Sequence, residues 1–481
     1  MPWLEGRPGL VLVVLALLGL TAGLVAGVTG GPLWLDEALS VEIATLPLPE
    51  LLGALRVDGA PPVYYLLLHA WTAVFGTGTT AVRLLTVATV PAAVWLTWRL
   101  GRRLGGTGAG RAAVIVLAAL PWTMRFGSET RMYALVVVLV LAGALLLLTV
   151  RSDAARGPVA ALAVLTALLL LTHYWSLFLL AAVGLWHLPG ALRRQAPSVR
   201  VVMALLRGGV LFLPWLPTFV FQALHTGAPW ASPPGVATLV RTPTFWGGGA
   251  LPGRIVLALL VVGLAVVGAR SSRPARALAL VAVATLLLAW MQTAVLGGAY
   301  TGRYTAVVVP LVAVAAGLGA VALRGRRTFV ALAALLALGV GTGVPAAAVA
   351  RTSAAGITAA VRAAAPAGSV VAYCPDQLAP PVQRLLGPSY EQVVYPTLGP
   401  PQRIDWVDYQ DRQDAADPAA IAARLDVLAG SRELLVLSAA GYRTYDTQCE
   451  AFVSAVAALR GPPTLLFGRA GTTGQLLHRF G

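Results

Sequence analysis

The heptapeptide WLDEALS, Trp34 to Ser40, sets Asp36 and Glu37 side by side just after an apolar run at 10–28. A carboxylate driven to a bilayer centre costs about 2.5 to 3.5 kcal/mol. The pair must therefore face water or a polar cavity, and if the run before it spans a membrane, WLDEALS opens a loop on the far side.

Composition makes that run a membrane span. The 481 residues are 58% hydrophobic and only 11% charged, with a mean hydropathy of +0.79, and apolar runs recur as far as residue 350. This is the composition of a polytopic membrane protein. Further candidate spans lie near 80–98, 112–126, 132–150, 158–172, 174–189, 201–221, 254–269, 277–298, 304–323 and 328–349, about eleven with the first. A cleaved signal peptide is the competing reading of 10–28, and the many spans that follow favour an uncleaved helix.

The formal charge of +16 resembles that of a nucleic-acid binder, yet all 35 basic residues are arginine and many fall in short links between apolar runs. With a cytoplasmic amino terminus, the links holding Arg99, Arg102, Arg103 and Arg111, then Arg151 and Arg156, then Arg193, Arg194 and Arg200 all lie inside. Those holding Arg270, Arg273 and Arg276, and Arg324, Arg326 and Arg327, follow them. Asp153 is the one acid in these links, whereas Asp36, Glu37, Glu42, Glu50, Asp58 and Glu129 fall outside. This topology holds if Pro61 to Gly76 does not cross, so that stretch is expected to be an interfacial or re-entrant helix.

After Arg351 the composition changes. Eleven of the 19 acids gather there, and the apolar runs shorten to strand length at 369–374, 392–397, 433–438 and 463–469, with helical patterns at 417–429 and 446–459. Alternation of this kind predicts a small α/β layer. The expected organisation is a transmembrane domain at 1–350, with a first outer loop at 29–80, and a soluble extracytoplasmic α/β domain at 351–481. The chain's two cysteines, Cys374 and Cys449, both fall in the latter, which favours a disulfide over two buried thiols.

No CxxC, HExxH or P-loop motif and no long basic run is present, so zinc-protease, nucleotide and nucleic-acid readings lack support. What the topology gathers outside is a ring of polar residues: Asp36, Glu37, Asp58, Tyr64, Arg83, Glu129, Arg131, Tyr133, His173, Tyr174, Arg303 and Tyr304. Arginine forks bind phosphate, and a carboxylate suits removal of a hydroxyl proton. Each residue also has a plainer reading. Arg83 and Arg131 fit snorkelling anchors, Asp36 and Glu37 a helix cap, and His173 with Tyr174 an aromatic belt.

Five segments together carry a family resemblance: WLDEALS, DGAPPVYYLLLHAW (58–71), SETRMYALVVVLVL (128–141), LTHYWSLFLLA (171–181) and GRYTAVVVPL (302–311). They resemble membrane glycosyltransferases of the GT-C fold, in the branch of protein O-mannosyltransferases and aminoarabinose transferases. The resemblance implies a helical transmembrane bundle in the cytoplasmic membrane. It implies transfer of a hexose or pentose, with inversion, from a polyprenyl-phosphate donor to a glycan, lipid or protein acceptor. It makes Asp36 the catalytic base with Glu37 beside it, and makes Arg131, with Glu129 and Tyr133, and Arg303 phosphate or sugar contacts. No cofactor is required, while a divalent cation near Asp36, Glu37 and Asp58 is compatible. Many relatives carry His-Pro-Pro where this chain has Ala60, Pro61 and Pro62. A lipid-linked saccharide transporter or flippase, a glycan polymerase or ligase, and a non-catalytic scaffold are the alternatives.

Overall fold

A computed structural model describes residues 2–152, 155–468 and 474–481; Asp153 and Arg469, assigned above to a link and a strand end, lie outside these. The chain forms two compact units. One comprises Met1–Gly30, Ala60–Phe219 and Pro233–Val349, the other Gly31–Gly59, Val220–Ser232 and Ala350–Gly481. The division differs from the expected one at 350, because two segments from the membrane half belong with the carboxyl-terminal residues.

The first unit is a helical bundle, and the protein is polytopic. Among the described residues seven helices are long and apolar enough to cross a membrane: Arg7–Thr29, Thr79–Ala119, Tyr133–Ser152, Ala196–His225, Leu251–Ser271, Arg273–Leu296 and Gly325–Ala348. Shorter apolar helices include Val63–Phe75, Arg156–Leu170, Ser176–Leu192 and Val309–Ala322. Thr79–Ala119 takes in two of the expected spans, with a non-helical break at Gly105 and Gly106. Gly106 has φ +82°, a left-handed conformation that glycine adopts without a Cβ clash. Val63–Phe75, at 13 residues, is about 20 Å long at 1.5 Å per residue, short of a hydrocarbon core of about 30 Å.

Helix Arg7–Thr29 shows the solvent it is built for. Leu12, Ala16 and Leu20 face inward, while Leu10, Val11, Val14, Leu15 and Leu18 are exposed and equally apolar. A helix hydrophobic all round suits lipid. At the bundle centre, Val309–Ala322 is buried from Val309 to Ala320 and packs on Thr79–Ala119 and Leu251–Ser271. A Cβ on Gly317 would lie 2.5 Å from the Ala113 nitrogen, and one on Gly319 1.8 Å from the Leu264 carbonyl oxygen. Small residues let these backbones approach, so packing between helices replaces the hydrophobic drive that lipid removes.

Several arginines satisfy carbonyls at helix ends. Arg200 donates through Nε to Val150 O (2.9 Å) and through Nη2 to Arg151 O (3.1 Å), and Arg276 Nε donates to Ala269 O (2.9 Å). These carbonyls have no intrahelical partner, and a cation there also complements the helix dipole.

The second unit is an α/β layer. Its strands are β1 (Val370–Cys374), β2 (Glu391–Val394), β3 (Leu434–Ala439), β4 (Thr464–Phe467) and β5 (Gln475–Phe480), in the order β2-β1-β3-β5-β4. β1 runs parallel to β2 and β3, while β5 pairs antiparallel with β3 and β4. The two central strands β1 and β3 are buried along their whole length. Val370, Ala372 and Val436 face a core shared with Ile421, Leu425 and Phe452; Val371, Tyr373 and Leu435 face one shared with Ile357 and Val361. Cys374, at the end of β1, is bonded to Cys449 in helix Gln448–Arg460.

Two non-contiguous segments complete this unit. Helices Leu35–Ala44 and Leu48–Asp58 come from the first, and Arg384 reaches Glu42 at 3.6 Å. From the second, Gln222 Nε2 donates to Leu55 O (2.7 Å) and His225 lies 3.0 Å from the Asp408 carboxylate.

Candidate active site

In the first unit, residues from four separate stretches meet at one cluster. Turn Leu171–Trp175, between helices Arg156–Leu170 and Ser176–Leu192, supplies His173 and Trp175. The stretch before helix Tyr133–Ser152 supplies Arg131, with Tyr133 as that helix's first residue. The short 3₁₀ turn Gly302–Val307 supplies Arg303 and Tyr304, and helix Val63–Phe75 supplies Tyr65.

His173 sits at the middle. Its ring centroid lies 4.9 Å from that of Tyr304 and 5.9 Å from that of Tyr133. Burial, then the positive fields of Arg131 and Arg303, push its pKa down to about 3. The imidazole is therefore neutral at physiological pH. The Trp175 backbone N–H donates to its Nδ1 (3.2 Å). With Nδ1 accepting, the ring proton belongs on Nε2.

Second contacts hold the cluster in place. Arg131 Nη1 donates to the Tyr65 hydroxyl (3.0 Å), and the Arg303 guanidinium lies 5.5 Å from the centroid of the Tyr304 ring. The Gly302–Val307 turn is pinned by Trp122 Nε1 donating to Gly302 O (2.8 Å) and Trp246 Nε1 donating to Thr305 Oγ1 (3.1 Å). Trp175 packs on both Tyr300 and Tyr304, at 5.1 and 5.6 Å between centroids. The result is a pair of guanidinium groups beside a neutral histidine, walled by aromatic rings. Such a group can hold an anion and deny it water.

No protein-family model matches the sequence, and no curated protein does. Solved structures do match. ArnT from Cupriavidus metallidurans bound to undecaprenyl phosphate superposes with a TM-score of 0.63 at 11% identity, covering 98% of each chain. Its apo form gives 0.61 at 12%, covering 97% of each. The Archaeoglobus fulgidus oligosaccharyltransferase complex with Zn and sulfate gives 0.52 at 12%, covering 97% of this chain and 72% of that one. This chain has the GT-C fold.

Within the GT-C fold the residues singled out from sequence separate into groups. Arg131, Tyr133, His173, Arg303 and Tyr304 belong to the cluster, and Glu129, two residues before Arg131, is fully buried. Tyr174 is engaged elsewhere, its hydroxyl accepting from Trp215 Nε1 (2.9 Å). The Tyr64 hydroxyl bonds Thr86 Oγ1 (3.2 Å). Arg83, buried along a membrane helix, donates through Nη1 to Val28 O (3.1 Å) at the end of the first helix.

Asp36, Glu37 and Asp58 belong to the second unit. Asp36 and Glu37 occupy the first turn of helix Leu35–Ala44, where the Trp34 N–H donates to Glu37 Oε2 (3.4 Å). Glu37 is fully buried and Asp36 partly so. The pair is thus unequal, since Glu37 accepts an orphan donor at a helix start. Among the described residues no group of three or more His, Cys, Asp or Glu side chains is arranged to hold a metal ion.

The sequence reading did not single out Tyr65, Trp122, Trp175 or Trp246 as site residues. Aromatic residues near the ends of apolar runs resemble an interface belt, and only their indole and hydroxyl partners reveal them as the walls and pins of the cluster.

Proposed function

We propose that this chain transfers a sugar, a hexose of mannose type or a pentose, from a polyprenyl-phosphate carrier to an acceptor hydroxyl outside the cytoplasmic membrane. The observation that carries the proposal is the pairing of Arg131 and Arg303 about a neutral, buried His173. It occurs in a fold shared with an ArnT bound to undecaprenyl phosphate.

The acceptor oxygen attacks the anomeric carbon as Asp36 takes its proton. The bond from that carbon to the phosphate oxygen breaks with its electron pair, and polyprenyl phosphate leaves. Charge therefore develops on the phosphate, and two fixed guanidinium forks stabilise it where it grows. A neutral His173 donates from Nε2 without adding a third cation, so product release is not opposed by an excess of charge. Attack from the face opposite the phosphate inverts the anomeric centre. Glu37 holds the start of the Asp36 helix. The reaction requires no redox or group-carrying cofactor.

The test is purified protein with a panel of polyprenyl-phosphate sugars, the product read by mass, with and without chelator. Asp36→Asn is expected to insert and fold normally and to lose transfer. Undiminished turnover by that variant refutes Asp36 as the base, and loss of turnover with chelator alone places a cation in the reaction.

A further inference from the structure

The second unit contains a cavity of about 620 Å³ that the glycosyl-transfer reading leaves unused. One wall is helices Leu35–Ala44 and Leu48–Asp58; the other is the segment after β2 and the helix Tyr409–Asp414. Its polar lining includes Asp58, Asp376, Arg403, Asp405, Arg412 and Gln413, with Ile43, Val57 and Pro396 between them.

Gln413 is the informative member. It is 1% exposed, and its Oε1 has no hydrogen-bond partner. An amide oxygen buried without a partner costs about 1 to 3 kcal/mol, so a small turn of this side chain that brings the oxygen to a donor in the cavity is favourable. Two neighbours are held ready. The Asp376 carboxylate accepts from the Tyr409 and Tyr445 hydroxyls at 2.5 and 3.0 Å, and Arg412 Nη1 binds Asp405 Oδ2 at 2.9 Å. Fixed acceptors, a fixed fork and apolar patches thus alternate around one space of the size usual for a small-molecule site.

We infer that this cavity is a binding site for a neutral saccharide. A polyhydroxylated ring offers each wall what it lacks, with hydroxyls that donate to Gln413 Oε1 and the carboxylates, hydroxyl oxygens that accept from Arg403 and Arg412, and a C–H face for the aliphatic side chains. Carboxylates outnumber guanidinium groups in the lining, which disfavours phosphates and acidic sugars. The inference goes beyond glycosyl transfer, since binding here requires no lipid-linked donor and no turnover.

Gly53 provides the test. It lines the cavity from within helix Leu48–Asp58, and a Cβ built on it meets no atom within 4 Å. Gly53→Phe therefore fills the cavity without a backbone clash, and replacing a helical glycine does not weaken the helix. Full-length protein in lipid nanodiscs, free of glycoside detergents that would compete, is titrated with mannotriose, maltotriose, galactotriose, trigalacturonic acid and a neutral tripeptide by saturation-transfer NMR. At least one neutral trisaccharide is expected to bind saturably and more tightly than the acidic one. Gly53→Phe is expected to weaken it tenfold or more with unchanged melting, and Gln413→Met about fivefold. Absence of neutral trisaccharide binding, equal binding by Gly53→Phe, or a preference for the tripeptide or the acidic sugar that Gly53→Phe abolishes would overturn the inference. Asp36→Asn retains binding whether or not the transfer reading stands, so the two fail separately.

Discussion

Replacing both Cys374 and Cys449 with alanine opens a covalent loop whose ends are 75 residues apart in sequence. No membrane helix lies between them, so once the second unit unfolds this stretch is free chain, and the loop-closure argument applies without correction for bilayer anchoring. In the chain-entropy treatment a loop of 75 residues corresponds to about 4.5 kcal/mol at 25 °C. A domain of ordinary stability holds about 5 to 15 kcal/mol, so the loss removes about 30% of it or more. Both cysteines are buried at the junction of β1 and a helix, and nothing polar is left behind by the substitution. The assay is limited proteolysis of the whole protein in nanodiscs under oxidising conditions. When opening is fast relative to cleavage, the cutting rate follows the open population, and about 4.5 kcal/mol corresponds to a rise of roughly 10³-fold. A rise of less than tenfold would refute the reasoning, because it would mean that the unfolded unit is already confined without the bridge.

Two further outcomes follow from buried groups. Burial raises the Asp376 pKa from 3.8 to about 6, against the lowering effect of the Tyr409 and Tyr445 hydrogen bonds and of Arg412. The folded state thus holds this proton more tightly than the unfolded state, a contribution present in full below about pH 4 and lost as pH rises through about 6, on the order of 3 kcal/mol. Melting from pH 4 to 8 should show that step in the wild type and not in Asp376→Asn; identical profiles would refute it. In the bundle, Gly319→Ala places a Cβ 1.8 Å from the Leu264 carbonyl oxygen, and overpacking of this kind costs about 1 to 3 kcal/mol. A melting temperature equal to that of the wild type would show that the helices part freely there.

Hydropathy made the membrane helices readable because lipid imposes one requirement on every span. The break at Gly105 and Gly106 was hidden between two spans that read as separate, since nothing in composition says whether a helix pauses or ends. Strand β5 escaped notice because QLLHRF carries His478 and Arg479, which the antiparallel pairing with β3 and β4 leaves only half-buried. The motif order led to Arg131, His173 and Arg303, but their convergence depends on three turns far apart in the chain. The cavity of the second unit had no local signature at all. Asp58 and Gln413 are separated by most of the sequence, and no pattern short of the fold brings them to one cavity.

The helices that carry Asp36 and Asp58 leave the ribosome roughly 290 residues before the carboxyl-terminal segment of their unit begins to emerge. At about 5 to 20 residues per second, they wait roughly 15 to 60 seconds beside the membrane, and residues 220–232 reach them part-way through. Until residues 379–413 arrive, the helix that bears Asp36 lacks helix Ala379–Leu386 and the wall that bears Asp58 lacks its opposite. Biogenesis is therefore ordered in time, and an incompletely made chain is one whose Asp36 helix is not yet held.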